Sequence, residues 1–326
     1  MNEEPLYLGI DVGGTKCAVV LADKGFNILG KESFPTRTRE RGWREVLDEF
    51  IERGRRLVEA HGRDRLRRIG ISCGGPLDSR EGVIYSPPNL PGWDGVPIVK
   101  IFEEAFGVPA ALQNDANASA LAEWMMGAGK GTRNMIFLTF GTGMGSGLIL
   151  DGRLYAGTND LAGEVGHVRM ADDGPVGFNK AGSFEGFCSG GGIAQLAAKK
   201  AYELLENGLE PAFLPAGKAP EEITAKDVFE AAHRGDVPAL DIVRTSAEYL
   251  GKGLAILIDI LNPECIVIGS IFARNEEMFR PHLERVLRAE AIPAAREVCR
   301  IVPAQLGDSI GDYAALSVAI SVENNE

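Results

Sequence analysis

The sequence predicts an α/β protein of two domains, which allows a cleft between them, and three observations carry that expectation. The chain has 326 residues, more than one hydrophobic core usually supports. Two distant segments, one from Leu6 and one from Met135, follow the same plan of strand, glycine-rich turn and strand, with little visible sequence identity between them. Each is followed by stretches in which apolar residues recur at three- and four-residue steps, the mark of helices laid on a sheet.

From Leu6, the runs LYLGIDVGG, CAVVLAD and FNILGKESF read as an antiparallel meander broken by glycine and Asp-Lys-Gly turns. Trp43, Val46, Leu47, Phe50, Ile51 and Leu57 then form the apolar stripe of a helix. Strands are expected at 68–73 and 110–113, the second feeding a helix over 116–126. In the second half, strands at 135–140, 146–150 and 153–155 precede helices at 190–207, 225–234 and 237–261, the last stopped at Asn262-Pro263. A strand at 265–268 closes on Gly269, and a helix at 276–289, a strand at 299–302 and a helix at 312–322 complete the chain. The Pro-, Ala- and Gly-rich segment 208–220 reads as a surface loop. These elements divide into a small N-terminal domain, 1–115, and a larger one, 116–307, with a C-terminal helix at about 308–326 packing back on the first.

Hydrophobic residues make up 45% and charged residues 25%, the balance of a globular protein with a sizeable core. A net charge of -12 without a Lys/Arg cluster argues against nucleic acid as a partner. Five cysteines stand singly with no CxxC pair, so a disulfide framework is not expected. With neither a signal-peptide pattern nor a run of 18 apolar residues, the expected location is cytoplasmic, away from the membrane.

Four constellations carry chemistry. In Asp11-Val12-Gly13-Gly14-Thr15-Lys16, paired glycines let a hairpin backbone approach a polyphosphate, Thr15 and Lys16 add a hydroxyl and a charge, and Asp11 could hold Mg²⁺ through water. A plain hairpin turn is the alternative; no GxxxxGK[ST] loop occurs. The run Thr139 to Gly147 offers alternate glycines around Thr142 and Gly143, but Ser146 takes the third glycine position of a dinucleotide fingerprint and a strand follows, so that reading fails. A side chain placed at Gly143 is expected to obstruct a phosphate at this close backbone approach far more than a ligand bound at a distance from it.

In Gln113-Asn114-Asp115, Asp115 stands where a strand meets a helix, and the helix dipole is expected to lower its pKa and keep it ionised as a general base; a simple N-cap is the competing reading. In Gly163-Glu164-Val165-Gly166-His167, followed later by Glu185, two carboxylates and an imidazole suit hydrogen bonds to vicinal hydroxyls.

These motifs, together with GGPLD, PPNLPGW, QNDANASALAE and IVIGS, resemble in content and order those of the ROK family of sugar kinases and sugar-responsive repressors, over essentially the whole chain. The resemblance implies an actin-like ATPase (ribonuclease H-like) two-domain fold with a nucleotide and sugar cleft, ATP and Mg²⁺ as cofactors, a hexose substrate and a homodimer. It assigns Asp115 as catalytic base, with Gly75, Asn89, Asn114, Glu164, His167 and Glu185 as sugar ligands. Gly13, Gly14, Thr15, Lys16, Thr142, Gly143 and Gly269 would meet the nucleotide, and Asp11 the magnesium. Glucose, phosphorylated to glucose 6-phosphate, is the first expectation; N-acetylmannosamine, fructose or allose are alternatives, and a sugar-binding regulator without kinase activity stands behind them. A repressor is disfavoured because the first strand begins by Leu6, leaving no room for a DNA-binding domain ahead of it.

Two departures from the family pattern stand out. Where the family carries CxCGxxGC, this chain has Pro175 to Glu185 without a cysteine, so no zinc is expected, and Phe178 and Phe184 are expected to pack inward and order the loop. The adenosine-side turn, usually Gly-Gly, is Gly269-Ser270, which a negative φ at Ser270 would tolerate.

Overall fold

The computed structural model describes residues 4–323. Strands β1 (Leu6–Val12), β2 (Lys16–Asp23) and β3 (Ile28–Pro35) form the expected antiparallel meander. Helix α1 (Trp43–His61) covers one face, burying Val46, Leu47, Phe50 and Val58; Phe50 meets Phe34 edge-on with ring centroids 4.9 Å apart. Strand β4 (Leu66–Cys73) returns parallel to β1. The next segment holds elements the sequence did not announce: a small sheet of β5 (Leu77–Asp78), β6 (Val83–Tyr85) and β7 (Asp94–Val96), then helix α2 (Ile98–Phe106). Strand β8 (Ala110–Asn114) lies parallel to β4, giving the order β3-β2-β1-β4-β8.

Helix α3 (Asp115–Met125) leaves this sheet and packs on a second one. Its Ala118 and Leu121 join Met135, Phe137 and Ile149 from strands β9 (Met135–Leu138) and β10 (Ser146–Leu150). Strand β11 (Arg153–Leu154) extends the edge, and a hairpin of β12 (Val176–Gly177) and β13 (Lys180–Ala181) precedes the short helix α4 (Phe184–Phe187). Helices α5 (Gly190–Glu206), α6 (Ala225–His233) and α7 (Val237–Leu261) bury their apolar faces in the largest core. The chain then forms β14 (Cys265–Ile268), α8 (Ser270–Arg274), α9 (Glu276–Glu290), α10 (Pro293–Val298) and β15 (Arg300–Pro303), so the second sheet is ordered β11-β10-β9-β14-β15.

Helix α11 (Ile310–Glu323) crosses back to the first sheet. Two glycines let it sit against the strands: a Cβ at Gly70 would lie 2.0 Å from the carbonyl oxygen of Ala315, and one at Gly9 3.1 Å from the backbone nitrogen of Leu316. Its other side reaches α3 through Ala314 and Val318. Residues 1–3 and 324–326, the ends of the two segments expected at 1–115 and 308–326, lie outside the described residues. Among the described residues no helix is long and apolar enough to cross a membrane.

Candidate active site

A cavity of about 420 Å³ opens between loops of the two sheets, with Gly75 and Asn114 on one side and Glu164, His167 and Glu185 on the other. It falls within the roughly 300–1,000 Å³ range of small-molecule sites. Five of the six residues expected to hold a sugar therefore line one cavity. Asn89 is the exception. It packs on the first glycine turn, where a Cβ on Gly14 would lie 2.7 Å from its carbonyl oxygen, and its side-chain amide comes up to Gly74. The cavity also uses Pro76, Leu77, Pro88, Met144, Asp160 and Leu161, none of them singled out from the sequence. Pro88 lies in the PPNLPGW motif and Asp160 in an Asn-Asp turn, signals that could have drawn attention to both.

Asp115 is the first residue of α3, and the N-cap is its neighbour Asn114, whose side-chain oxygen accepts the Ala116 N–H at 2.9 Å. Asp115 Oδ1 accepts the same N–H at 2.8 Å. The expectation of a lowered pKa is corrected here. Loss of hydration between the cleft walls raises the Asp115 pKa, and the amides of Ala116 and Asp115 only moderate the rise. The residue as a whole stays exposed, so its loss of hydration comes from the walls around the carboxylate and not from complete enclosure. The helix-end argument is local, whereas the surroundings of the carboxylate are tertiary, and the second outweighs the first. Glu164 is raised likewise, by burial and then by the charge of Glu185, with His167 opposing and Asp115 adding to the rise.

Asp11, at the end of β1, is pushed up to about 7 by burial and by the charges of Asp312 and Asp115, while Lys31 and Lys16 pull it down. The turn after it is held from behind: Thr36 donates its hydroxyl to the Gly13 carbonyl at 2.6 Å and its N–H to that of Thr15 at 3.0 Å. Gly13 is required by the turn itself, since a Cβ there would lie 2.4 Å from the Lys16 carbonyl oxygen. Thr15 and Lys16 are exposed beside it.

The second glycine turn lies between two cavities. Thr142 lines a separate cavity of about 810 Å³ with Gly190, Lys226, His233 and Ser270. Met144 lines the first cavity instead, and Gly143 abuts it through Glu185: Glu185 Oε2 accepts the Met144 N–H at 2.9 Å, and a Cβ on Gly143 would lie 2.8 Å from that oxygen. Gly269 is buried at the end of β14. The next residue, Ser270, has φ 53, so the condition of a negative φ is not met and the left-handed conformation is carried by a residue with a Cβ.

The segment that lacks cysteines is ordered by backbone pairing. Val176 pairs with Ala181 and Gly177 with Lys180 across a two-residue turn, Phe178-Asn179, and Lys180 Nζ donates to the His167 carbonyl at 2.7 Å. Phe184 is buried as expected. Phe178 is not: it is 73% exposed, lines the first cavity and stands edge-on to the His167 ring at 6.3 Å. A two-residue turn points its side chains away from the sheet, so the inward reading fails for geometric reasons. Among the described residues no group of three or more His, Cys, Asp or Glu side chains is gathered as a metal centre.

The family model described as "ROK family" matches residues 7–321. A glucokinase from Halalkalibacterium halodurans is 33% identical over 94% of this chain and 92% of its own length. Two solved structures are similar: a ROK hexokinase from Thermus thermophilus, with TM-score 0.80 and 32% identity over 98% of this chain and 100% of that one, and a ROK glucokinase from Streptomyces griseus in complex with glucose and AMPPNP, with TM-score 0.75 and 30% identity over 96% and 99%. The fold is thus the actin-like ATPase fold expected from the motifs. With its motifs, its architecture and nearly its whole length in agreement, this chain belongs to the ROK family.

Proposed function

We propose that this chain is an ATP-dependent sugar kinase that transfers the γ-phosphoryl group of ATP to a hydroxyl of glucose, with Asp115 as general base. The observation that carries the reading is the junction of β8 and α3: Asn114 lines the cavity, and Asp115, which follows it directly and is not itself in the cavity wall, lies near enough for its charge to act on Glu164. The glucokinase relatives and the glucose–AMPPNP complex of a similar kinase support glucose as the acceptor.

Asn114, Glu164, His167 and Glu185 would hold the hydroxyl rim of the sugar and leave one hydroxyl toward Asp115. As the oxygen–phosphorus bond forms and the bond to the ADP oxygen breaks, the Asp115 carboxylate takes the hydroxyl proton. Its raised pKa suits this task, because the carboxylate then has more affinity for the proton it accepts. The glycine turns at 13–14 and 142–143 would cradle the phosphates, and the larger cavity beside Thr142 and Ser270 suits the nucleoside. Asp11 fits a magnesium held through water, since a divalent cation would offset the repulsion it suffers from Asp312 and Asp115. When bound, magnesium would neutralise charge on the phosphate oxygens. The division at 115, where the chain passes from the first sheet to a helix seated on the second, suits closure about the cleft.

A coupled assay with ATP, magnesium and a panel of hexoses tests this. Glucose is expected to give the highest kcat/KM. Preference for another hexose would remove glucose and keep the kinase, whereas no phosphorylation of any hexose would remove both.

A further inference from the structure

We propose that Phe178 contacts the acceptor sugar directly, its ring forming an apolar platform for the C–H face of a hexopyranose and so favouring pyranoses over other sugars; the inference rests on the sugar-kinase reading. Three observations on this residue have no explanation within the folded chain alone. Phe178 and Asn179 have φ 39 and 62, the left-handed pair of a two-residue hairpin turn that Asn-Gly or Asp-Gly normally fill, and a bulky aromatic side chain is disfavoured there. With 73% of its surface exposed, the ring gains little from burial that could offset this conformation. The part of it that is covered faces the sugar cavity and the His167 ring.

The hairpin is braced on both strands, so the ring is not carried on a loose tip. The Val176 N–H donates to Gln195 Oε1 at 2.8 Å, Gln195 Nε2 donates back to the Val176 carbonyl at 2.9 Å, and Lys180 ties the other strand to His167. The cavity is correspondingly two-sided: Asn114, Glu164, His167 and Glu185 supply a polar rim, and Phe178 with Leu161 supplies an apolar wall. A hexopyranose has the matching shape, hydroxyls around its edge and C–H bonds on its face. An aromatic ring holds such a face by dispersion and by its negative π surface, and two carboxylates in the rim disfavour sugars that already carry an anionic group.

The test uses Phe178→Ala, Phe178→Tyr and Phe178→Gly, with Val176→Ala as a control, because Val176 is exposed on the same hairpin and is not part of the cavity wall. Phe178→Ala is expected to raise the KM for glucose about tenfold, the scale of one lost aromatic contact, with kcat and the KM for ATP within about twofold of wild type by the same reasoning. Phe178→Tyr should retain the wild-type KM. Phe178→Gly should raise the KM as the alanine variant does and also raise Tm, since glycine adopts φ 39 without strain. A wild-type KM in Phe178→Ala would overturn the inference, and so would a fall in Tm with glycine, which would mark a structural role. Absence of hexose turnover by the wild-type chain would instead overturn the kinase reading and this inference with it.

Discussion

Asp160 accepts two hydrogen bonds from Ser79, one from its backbone N–H at 2.7 Å and one from its hydroxyl at 2.8 Å. The two residues come from loops belonging to different sheets, and Asp160 is itself part of the sugar cavity wall. Beside them, Arg80 donates to the Gly157 carbonyl at 3.3 Å. A contact of this kind ties the two loops together beside the cavity and opposes their separation.

Asp160→Ala is expected to raise the KM for the sugar by about three- to tenfold, the scale of one or two hydrogen bonds, with the KM for ATP little changed. Ser79→Ala should have a smaller effect, because its backbone N–H still reaches Asp160. In the double variant, Ser79→Ala should add nothing to Asp160→Ala. Steady-state kinetics on the four proteins decides the matter: a silent Ser79→Ala beside a damaging Asp160→Ala would mean that Asp160 acts on the sugar and not through its contact with Ser79.

Asp115→Asn should keep sugar binding and lose about 10²- to 10⁴-fold in turnover, the range for removing a general base. The direction of its pKa adds a pH signature. Because the carboxylate is raised above its ordinary value, the wild-type rate should begin to fall at a higher pH than an ordinary Asp would dictate as the solution is acidified. The small residual rate of Asp115→Asn should lack that acid limb. A variant with near wild-type turnover, measured alongside calorimetric sugar binding, would show that the proton goes elsewhere.

Asp11 makes stability depend on pH in the unusual direction for a carboxylate. Its folded value of about 7 lies above its ordinary value of 3.8, so between the two the folded chain binds more protons than the unfolded one. The group therefore costs nothing at lower pH, and its destabilising effect grows as pH rises, by roughly 1.4 kcal/mol per pH unit until the folded value is passed. Asp11→Asn removes the buried charge and should raise Tm at pH 8 more than at pH 5. If Asp11 holds magnesium, Mg²⁺ with ATP should stabilise the wild-type protein more at pH 8 than at pH 5, and Asp11→Asn should lose that increment. Thermal unfolding of both proteins at the two pH values, with and without Mg–ATP, would show equal shifts if Asp11 has no part in binding.

Much of this was legible because some residues speak through local pattern. The apolar runs of β1 and β2, the glycine turns after β1 and β9, and Pro263 after α7 mark their own elements. Strands β5, β6 and β7 are two or three residues long, too short to show a period. Helix α2 is 9 residues long, and its stripe of Ile98, Phe102 and Phe106 is brief beside that of the 19-residue α1. Phe178 shows a different limit. Its hydrophobicity points to the core, and the turn Phe-Asn has no glycine to announce that it is a hairpin tip, so only the pairing of Gly177 with Lys180 reveals that the ring faces outward. The Asp115 pKa and the Ser79–Asp160 contact depend on which chain segments meet, and no spacing within either segment encodes that.

Gly143 stands between Thr142, which lines the larger cavity, and Met144, which lines the smaller one, and the consequence differs from what the sequence implies. A side chain there was expected to obstruct phosphate and spare the sugar, but its Cβ would lie 2.8 Å from Glu185 Oε2, nearer than real Cβ contacts allow. That oxygen also accepts the Met144 N–H, so it cannot retreat without giving up a hydrogen bond. Gly143→Val should therefore displace Glu185 from the sugar cavity and raise the KM for both substrates, with circular dichroism unchanged. Glu185→Gln keeps the size and an acceptor oxygen for Met144, and should raise the KM for the sugar alone, by about tenfold for a lost charge-assisted hydrogen bond. The decisive comparison uses Glu185→Ala, which clears the space. In that background Gly143→Val should cost nothing further in sugar KM while still weakening ATP, because the route to the sugar has been removed and the route to the phosphates has not. Sugar affinity that stays at the wild-type level in the single Gly143→Val variant would show that Glu185 moves aside freely and that the turn serves the nucleotide alone.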